Sequence, residues 1–115
     1  MFARPPSPMP TAERRVRVTL AGEIDVATVP LAQARLGAAI RDHPGHEIVV
    51  DMSAVSFIDG CGVGMLYEAF QRATDAGGDL RLNDASARTK KVLTITGLDR
   101  LVLDVLAAPS FEQEP

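Results

Sequence analysis

The sequence predicts a single α/β domain in which helices pack on a mostly parallel or mixed sheet of four to five strands. Short apolar segments with the period of a strand alternate along the chain with longer segments that have the period of a helix. The turns between them are short and carry glycine, proline or small polar residues. Strands that alternate with helices through short loops are typical of a sheet whose apolar face is covered by helices.

Length and composition fit one soluble domain. The chain has 115 residues, of which 46% are hydrophobic and 23% are charged. We expect a domain over residues 15–106, a proline-rich flexible leader over residues 1–14 and a short tail over residues 107–115. A net charge of -3 without a basic cluster argues against direct nucleic-acid binding. No apolar run reaches the ~18 residues of a membrane span, so we expect a cytoplasmic protein without one.

The first strand and the first helix follow the proline-rich segment. Apolar and polar residues alternate over Val16–Ala21, as in a strand with one buried face, and the pattern stops at Gly22. A helical period then begins at Val29 and continues to Arg41. We expect Thr28 to be the N-cap of this helix.

The middle of the chain repeats this alternation. The run Glu47–Met52 is rich in β-branched residues and predicts a central strand. A second helix begins at the tetrapeptide Asp59–Gly62 and ends at Gly77 and Gly78. Asp79–Asn83 alternates again and predicts the next strand.

The last elements are shorter. Ser86 is a candidate N-cap for a third helix, which ends at Gly97. Leu101–Val105 predicts a final strand.

Five short motifs stand in this framework in a fixed order. They are Leu20–Asp25 (LAGEID), Val49–Met52 (VVDM), Phe57–Gly64 (FIDGCGVG), Ala76–Gly78 (AGG) and Leu93–Leu98 (LTITGL). Over residues 16–105 the chain therefore resembles a STAS domain. The resemblance implies an anti-sigma factor antagonist, which binds a serine-kinase-like anti-sigma factor and frees a sigma factor without enzymatic chemistry or a cofactor. The alternative is an accessory subunit of a lipid-transport ATP-binding cassette complex.

The start of the second helix departs from the family pattern. That pattern is usually Asp-Ser-Ser-Gly or Asp-Ser-Thr-Gly, and the partner kinase phosphorylates the first of the two hydroxyl residues. Gly60 stands at that position here and has no hydroxyl to phosphorylate. The resemblance thus implies an antagonist that is constitutive or differently regulated, or a diverged domain that has lost its partner. Ser56 and Thr28 are the nearest hydroxyls.

The resemblance also implies where the partner docks. Loops at one end of the sheet supply the predicted partner-binding residues, which are Glu23, Asp25, Thr28, Asp59, Gly60, Cys61 and Gly62. Asp59 is placed to cap the second helix, and Asp25 to form either a local turn or part of the interface. Gly62 and Gly64 are expected to permit close backbone approach.

The remaining reactive side chains leave alternatives open. Cys61 is the single cysteine, so it cannot form an intramolecular disulfide, and it acts either as a redox sensor at a helix start or as a small Ser-like residue. His43 and His46 flank a Pro-Gly turn, and we expect a solvated loop and no metal site. An exposed sheet edge beside the first strand predicts a possible weak homodimer.

Overall fold

The computed structural model describes residues 14–102 as alternating strands and helices, which confirms the predicted α/β class. The predicted leader apart from Arg14, the predicted tail, and the part of the last predicted strand after Val102 lie outside these residues. The elements are β1 (Arg15–Ile24), α1 (Val29–Asp42), β2 (Glu47–Ile58), α2 (Gly60–Asp75), β3 (Asp79–Asn83), α3 (Ala87–Ile95) and a 3₁₀ turn (Leu98–Leu101).

Within residues 14–102 the sheet has three parallel strands, and β2 lies between β1 and β3. Val50 is the register partner of both Val18 and Leu82. Beyond β3, a parallel bridge joins Leu82 to Val102, where the sequence predicts another strand. Leu101, which was predicted to begin that strand, instead ends the 3₁₀ turn.

The first two strands are longer than their hydrophobic patterns predict. They continue to Ile24 and Ile58, past the point where β3 ends, by pairing with each other. The register between the two strands shifts twice, after Thr19 and after Gly22, and each time the extra residue lies in β2; Gly22 itself has a φ of 77°. Such bulges break the alternation of apolar and polar side chains. This is why the sequence predicted that the strands would stop at Ala21 and Met52.

One face of the sheet and the helices share a single apolar core. Among the residues it buries most completely are Leu36, Ile48, Met52, Leu66, Leu80, Leu82 and Leu93. They come from all three helices and from two strands, so the core joins every layer of the described domain. None of the helices in residues 14–102 is both long and apolar enough to cross a membrane.

The opposite face of the sheet is built from paired charges. The ion pairs there are Arg15–Glu47 at 2.8 Å, Arg17–Asp51 at 3.5 Å and Arg81–Asp79 at 2.9 Å. Val49 lies between Arg17 and Arg81 in the register and is only 1% exposed. The aliphatic stems of long arginine side chains can cover an apolar neighbour in this way.

The end of α2 and the start of α3 follow the sequence prediction. The amide groups of Gly77 and Gly78 donate to the carbonyls of Thr74 and Ala73, each at 2.9 Å, which is the pairing of a Schellman motif. Gly78 also lies directly against the carbonyl oxygen of His46, where a Cβ would not fit. At α3, the Ser86 hydroxyl accepts from the Thr89 amide at 3.1 Å and confirms the predicted cap.

Asp51 supplies a pH-dependent part of the stability. Burial by itself raises the pKa of this carboxyl, but hydrogen bonds from Ser53 and the charge of Arg17 hold the pKa below its usual value of 3.8. A carboxyl with a lower pKa in the folded state stabilises the fold above its unfolded pKa. That contribution is lost as the pH falls below 3.8 toward the folded value.

We therefore expect Asp51→Asn to unfold at lower urea concentration than the wild type at pH 6. The difference in free energy of unfolding should shrink at pH 3, where the wild-type carboxyl loses its charge advantage. An equal difference at the two pH values would contradict this assignment.

Candidate functional site

The candidate site lies at the carboxyl edge of the sheet, where β1 and β2 end side by side. Ile24 and Ile58 are register partners, and the amide of Asp59 donates to the carbonyl of Ile24 at 3.2 Å. The start of α2 is thus bonded directly to the end of β1. This confirms the expectation that the loop after β1 and the start of α2 lie at the same end of the sheet.

Asp59 caps α2, as its sequence position predicts. Its backbone is extended, and its Oδ1 accepts from the amides of Cys61 at 2.9 Å and Gly62 at 3.1 Å. These amides have no partner inside the helix, and the carboxylate also complements the positive end of the helix dipole.

Gly62 is required by packing, whereas Gly64 is not. A Cβ on Gly62 would lie 2.6 Å from Cγ1 of Ile58 and 2.8 Å from Cγ2 of Ile24. The first turn of α2 can therefore approach the sheet closely only with glycine at this position. A Cβ on Gly64 would meet nothing within 4 Å, so the prediction of close approach is wrong for that residue.

Gly60 and Cys61 occupy the exposed outer side of the same turn. A Cβ on Gly60 would meet nothing within 4 Å, and Gly60 is absent from the residues with positive φ. Neither packing nor backbone conformation requires glycine at position 60. The thiol of Cys61 is free and exposed, and its redox role stays a prediction.

Asp25 and Thr28 form a closed turn between β1 and α1. Oδ1 of Asp25 accepts from the amides of Ala27 at 3.0 Å and Thr28 at 3.2 Å, so the local turn role of Asp25 is present. Thr28 stands at the N-cap position, but its hydroxyl makes no capping bond to α1. It donates instead to the carbonyl of Glu23 at 2.7 Å and accepts from the Asp25 amide at 2.9 Å. The predicted side-chain cap by Thr28 is wrong because this turn uses the hydroxyl.

The site is acidic. Glu23, Asp25 and Asp59 lie in the two segments 23–31 and 57–62, which contain no lysine or arginine. Glu23 is exposed and pairs in register with Phe57. All seven predicted partner-binding residues lie at the end of β1, in the turn that follows it or at the start of α2.

Two apolar residues at this edge were missed by the sequence analysis. Val26 is exposed within the turn after β1, and Phe57 is exposed beside Glu23 near the end of β2. Phe57 entered the sequence analysis only as the first residue of the motif Phe57–Gly64, with no partner role. The clue to its exposure was its place next to Ile58, since neighbouring residues of a strand point to opposite faces.

The two histidines lie at the other end of the sheet. His46 directly precedes β2, whereas Cys61 follows its end, so neither histidine is placed to act on the thiol. The rings of His43 and His46 contact each other edge to face, with centroids 5.3 Å apart. Within residues 14–102, no group of three or more His, Cys, Asp or Glu side chains is arranged to hold a metal ion.

Comparisons with known proteins give one consistent family. A family model described as the STAS domain matches residues 8–113. The anti-sigma-B factor antagonist of Bacillus subtilis is 30% identical over 90 residues, covering 78% of this chain and 81% of that protein.

Solved structures show the same fold. The anti-sigma factor antagonist from Mycobacterium paratuberculosis is 26% identical, with a TM-score of 0.68 and coverage of 86% of each chain. The unphosphorylated form of the anti-sigma factor antagonist SpoIIAA is 24% identical, with a TM-score of 0.72 and coverage of 87% of each chain. At that identity, the likeness to SpoIIAA shows the fold alone.

Substitution of two glycines in α2 tests the packing at the site. Gly62→Ala forces a Cβ against Ile58 and Ile24 and should cost about 1–3 kcal/mol of unfolding free energy. Gly64→Ala is the matched control in open space and should gain about 0.5–1 kcal/mol from helix propensity. Urea denaturation of both variants measures the difference. Equal effects of the two substitutions would show that α2 does not approach the sheet as described.

The cap is tested separately at Asp59. Asp59→Ala removes the acceptor for two helix amides and should cost about 1 kcal/mol, whereas Asp59→Asn keeps a capping oxygen and most of the stability. Thermal and urea unfolding distinguish the two variants. The capping role fails if alanine and asparagine are equally destabilising.

Proposed function

We propose that this chain, which belongs to the STAS domain family, is an anti-sigma factor antagonist that binds an anti-sigma factor and so frees a sigma factor. The observation that carries the proposal is the 30% identity to an anti-sigma-B factor antagonist over 81% of that protein. The likeness extends over about four fifths of each of the two chains. The Mycobacterium paratuberculosis antagonist supports the same role.

The geometry of the carboxyl edge supports docking of a protein. The turn after β1 and the start of α2 are fixed by their own hydrogen bonds and present exposed residues to solvent. Catalysis has less support there, since the only thiol lacks a neighbouring histidine and both histidines precede β2. The proposal is therefore partner switching by binding, in the cytoplasm, where sigma factors meet RNA polymerase.

The proposed partner is a serine-kinase-like anti-sigma factor that cannot switch this antagonist off at position 60. Gly60 has no hydroxyl, and the space around it is open. Binding is thus proposed to be constitutive or controlled elsewhere. Thr28 is a poor substitute target because its hydroxyl is already bonded to the carbonyl of Glu23 at 2.7 Å.

The other roles considered from the sequence have less support. The relatives reported above carry the names of antagonists, so a lipid-transport accessory subunit is not favoured. A weak homodimer stays a prediction.

A binding experiment with one added hydroxyl tests the proposal. Purified serine-kinase-like anti-sigma factors from the source organism are immobilised, and the wild-type chain, Gly60→Ser and Gly64→Ser are passed over them after incubation with or without ATP. All three should bind without ATP. Only Gly60→Ser should lose affinity with ATP, by about tenfold or more, because phosphate adds close to two negative charges at the interface.

Gly64→Ser is the matched control, since it adds the same hydroxyl one turn later, also in open space. Mass spectrometry of each chain after incubation reports phosphorylation independently of binding. The absence of wild-type binding to every anti-sigma factor tested would remove the proposed function.

A further inference from the structure

Large exposed apolar side chains are concentrated near the candidate site. In the described part of the chain they are Val26 (72% exposed), Leu31 (70%), Phe57 (44%), Tyr67 (41%) and Ile95 (77%). A single exposed apolar residue is normal on a protein surface. Here, however, the first three of these belong to the two short segments that meet at the carboxyl edge of the sheet.

Short chain segments connect these three residues to the contact between the end of β1 and the start of α2. Val26 follows Ile24 by two positions, and Ile24 accepts the Asp59 amide. Leu31 lies in the first turn of α1, and its amide donates to the carbonyl of Thr28 at 3.1 Å. Phe57 precedes Asp59 by two positions on β2.

Much of the polar capacity of this edge is used internally. Asp59 and Asp25 each accept two backbone amides through Oδ1, and the Thr28 hydroxyl is bonded to the chain on both sides. A partner that relied on these groups would have to break bonds already made. The exposed apolar atoms have no such contacts to lose, and their burial against a partner is favourable.

The negative charge around these apolar residues indicates which side chains surround the apolar surface of the partner. Segments 23–31 and 57–62 carry three carboxylates and no basic side chain. Among the described residues, the carboxylate of Glu23 has no hydrogen-bond or ion-pair partner. A docking surface with basic residues around an apolar centre would complement this edge.

We infer that the anti-sigma factor of the proposed function docks on Val26, Leu31 and Phe57 with an apolar surface that is bordered by lysine or arginine. The inference rests on that function and identifies both the contact residues and the chemistry of the partner. Apolar contact supplies most of the affinity, and the carboxylate of Glu23 speeds association.

The test measures binding of purified serine-kinase-like anti-sigma factors to three variants. Val26→Ser/Leu31→Gln removes two exposed apolar side chains and should raise the dissociation constant about tenfold or more. Ile95→Gln is the control, because Ile95 lies at the end of α3, away from the carboxyl edge. It should change the dissociation constant less than about twofold. Glu23→Gln should lower the association rate constant with little change in dissociation rate.

Urea unfolding of each variant confirms that it is folded, which these exposed positions should permit. If the wild type binds an anti-sigma factor, and the Val26→Ser/Leu31→Gln and Ile95→Gln variants bind it with equal affinity, the inference is overturned and the proposed function stands. An unchanged association rate constant for Glu23→Gln would overturn the inference that lysine or arginine borders the apolar surface of the partner. If the wild-type chain binds none of the anti-sigma factors, the proposed function fails, and the inference fails with it.

Discussion

The close contact between the first turn of α2 and the end of β1 fixes the position of the whole candidate site. The Asp59 amide bonds to the carbonyl of Ile24, and Gly62 leaves room for the side chains of Ile24 and Ile58. A side chain at position 62 would push the helix away from the sheet. The Asp59 cap and the exposed first turn of α2 would then no longer be held at a fixed distance from the turn after β1. The geometry of the proposed binding residues therefore depends on a residue that has no side chain.

The sheet divides the domain into two chemically different sides. One face holds the apolar core with the helices, and the other is a network of arginine and carboxylate pairs that encloses Val49. Ion pairs on an exposed surface each contribute little, about 0–1 kcal/mol, but Glu47 of the Arg15 pair is only 5% exposed. Val49 lies between Arg17 and Arg81 in this network and is buried. The aliphatic stem of an arginine can cover such an apolar neighbour. The carboxyl edge is a third environment, acidic and partly apolar.

The sequence predicted correctly those helix ends that are determined by residues close to them in the chain. The ends of α2 followed from an aspartate before the helix and a glycine pair after it, and the structure has both the cap and the Schellman motif. The extension of β2 to Ile58 could not be read in this way, because it depends on pairing across bulges with β1. The failure of Thr28 as a side-chain cap has a similar origin, since the competing acceptor is the carbonyl of Glu23 five residues earlier. The exposure of Val26 could not be predicted either, because it depends on the orientation of the turn after β1 relative to the rest of the domain.

Both ends of α2 are joined to the backbone of a strand or its adjacent loop. At its start the chain is bonded to Ile24, and after its end Gly78 packs on His46, whose carbonyl accepts the Asp79 amide at 3.2 Å. A helix held at both ends is poorly suited to tilt or slide alone when a protein docks on it. Association would then resemble the meeting of two preformed bodies, with little ordering entropy lost on this side of the interface. Tight and rapid recognition is available to such a domain without any rearrangement of its sheet.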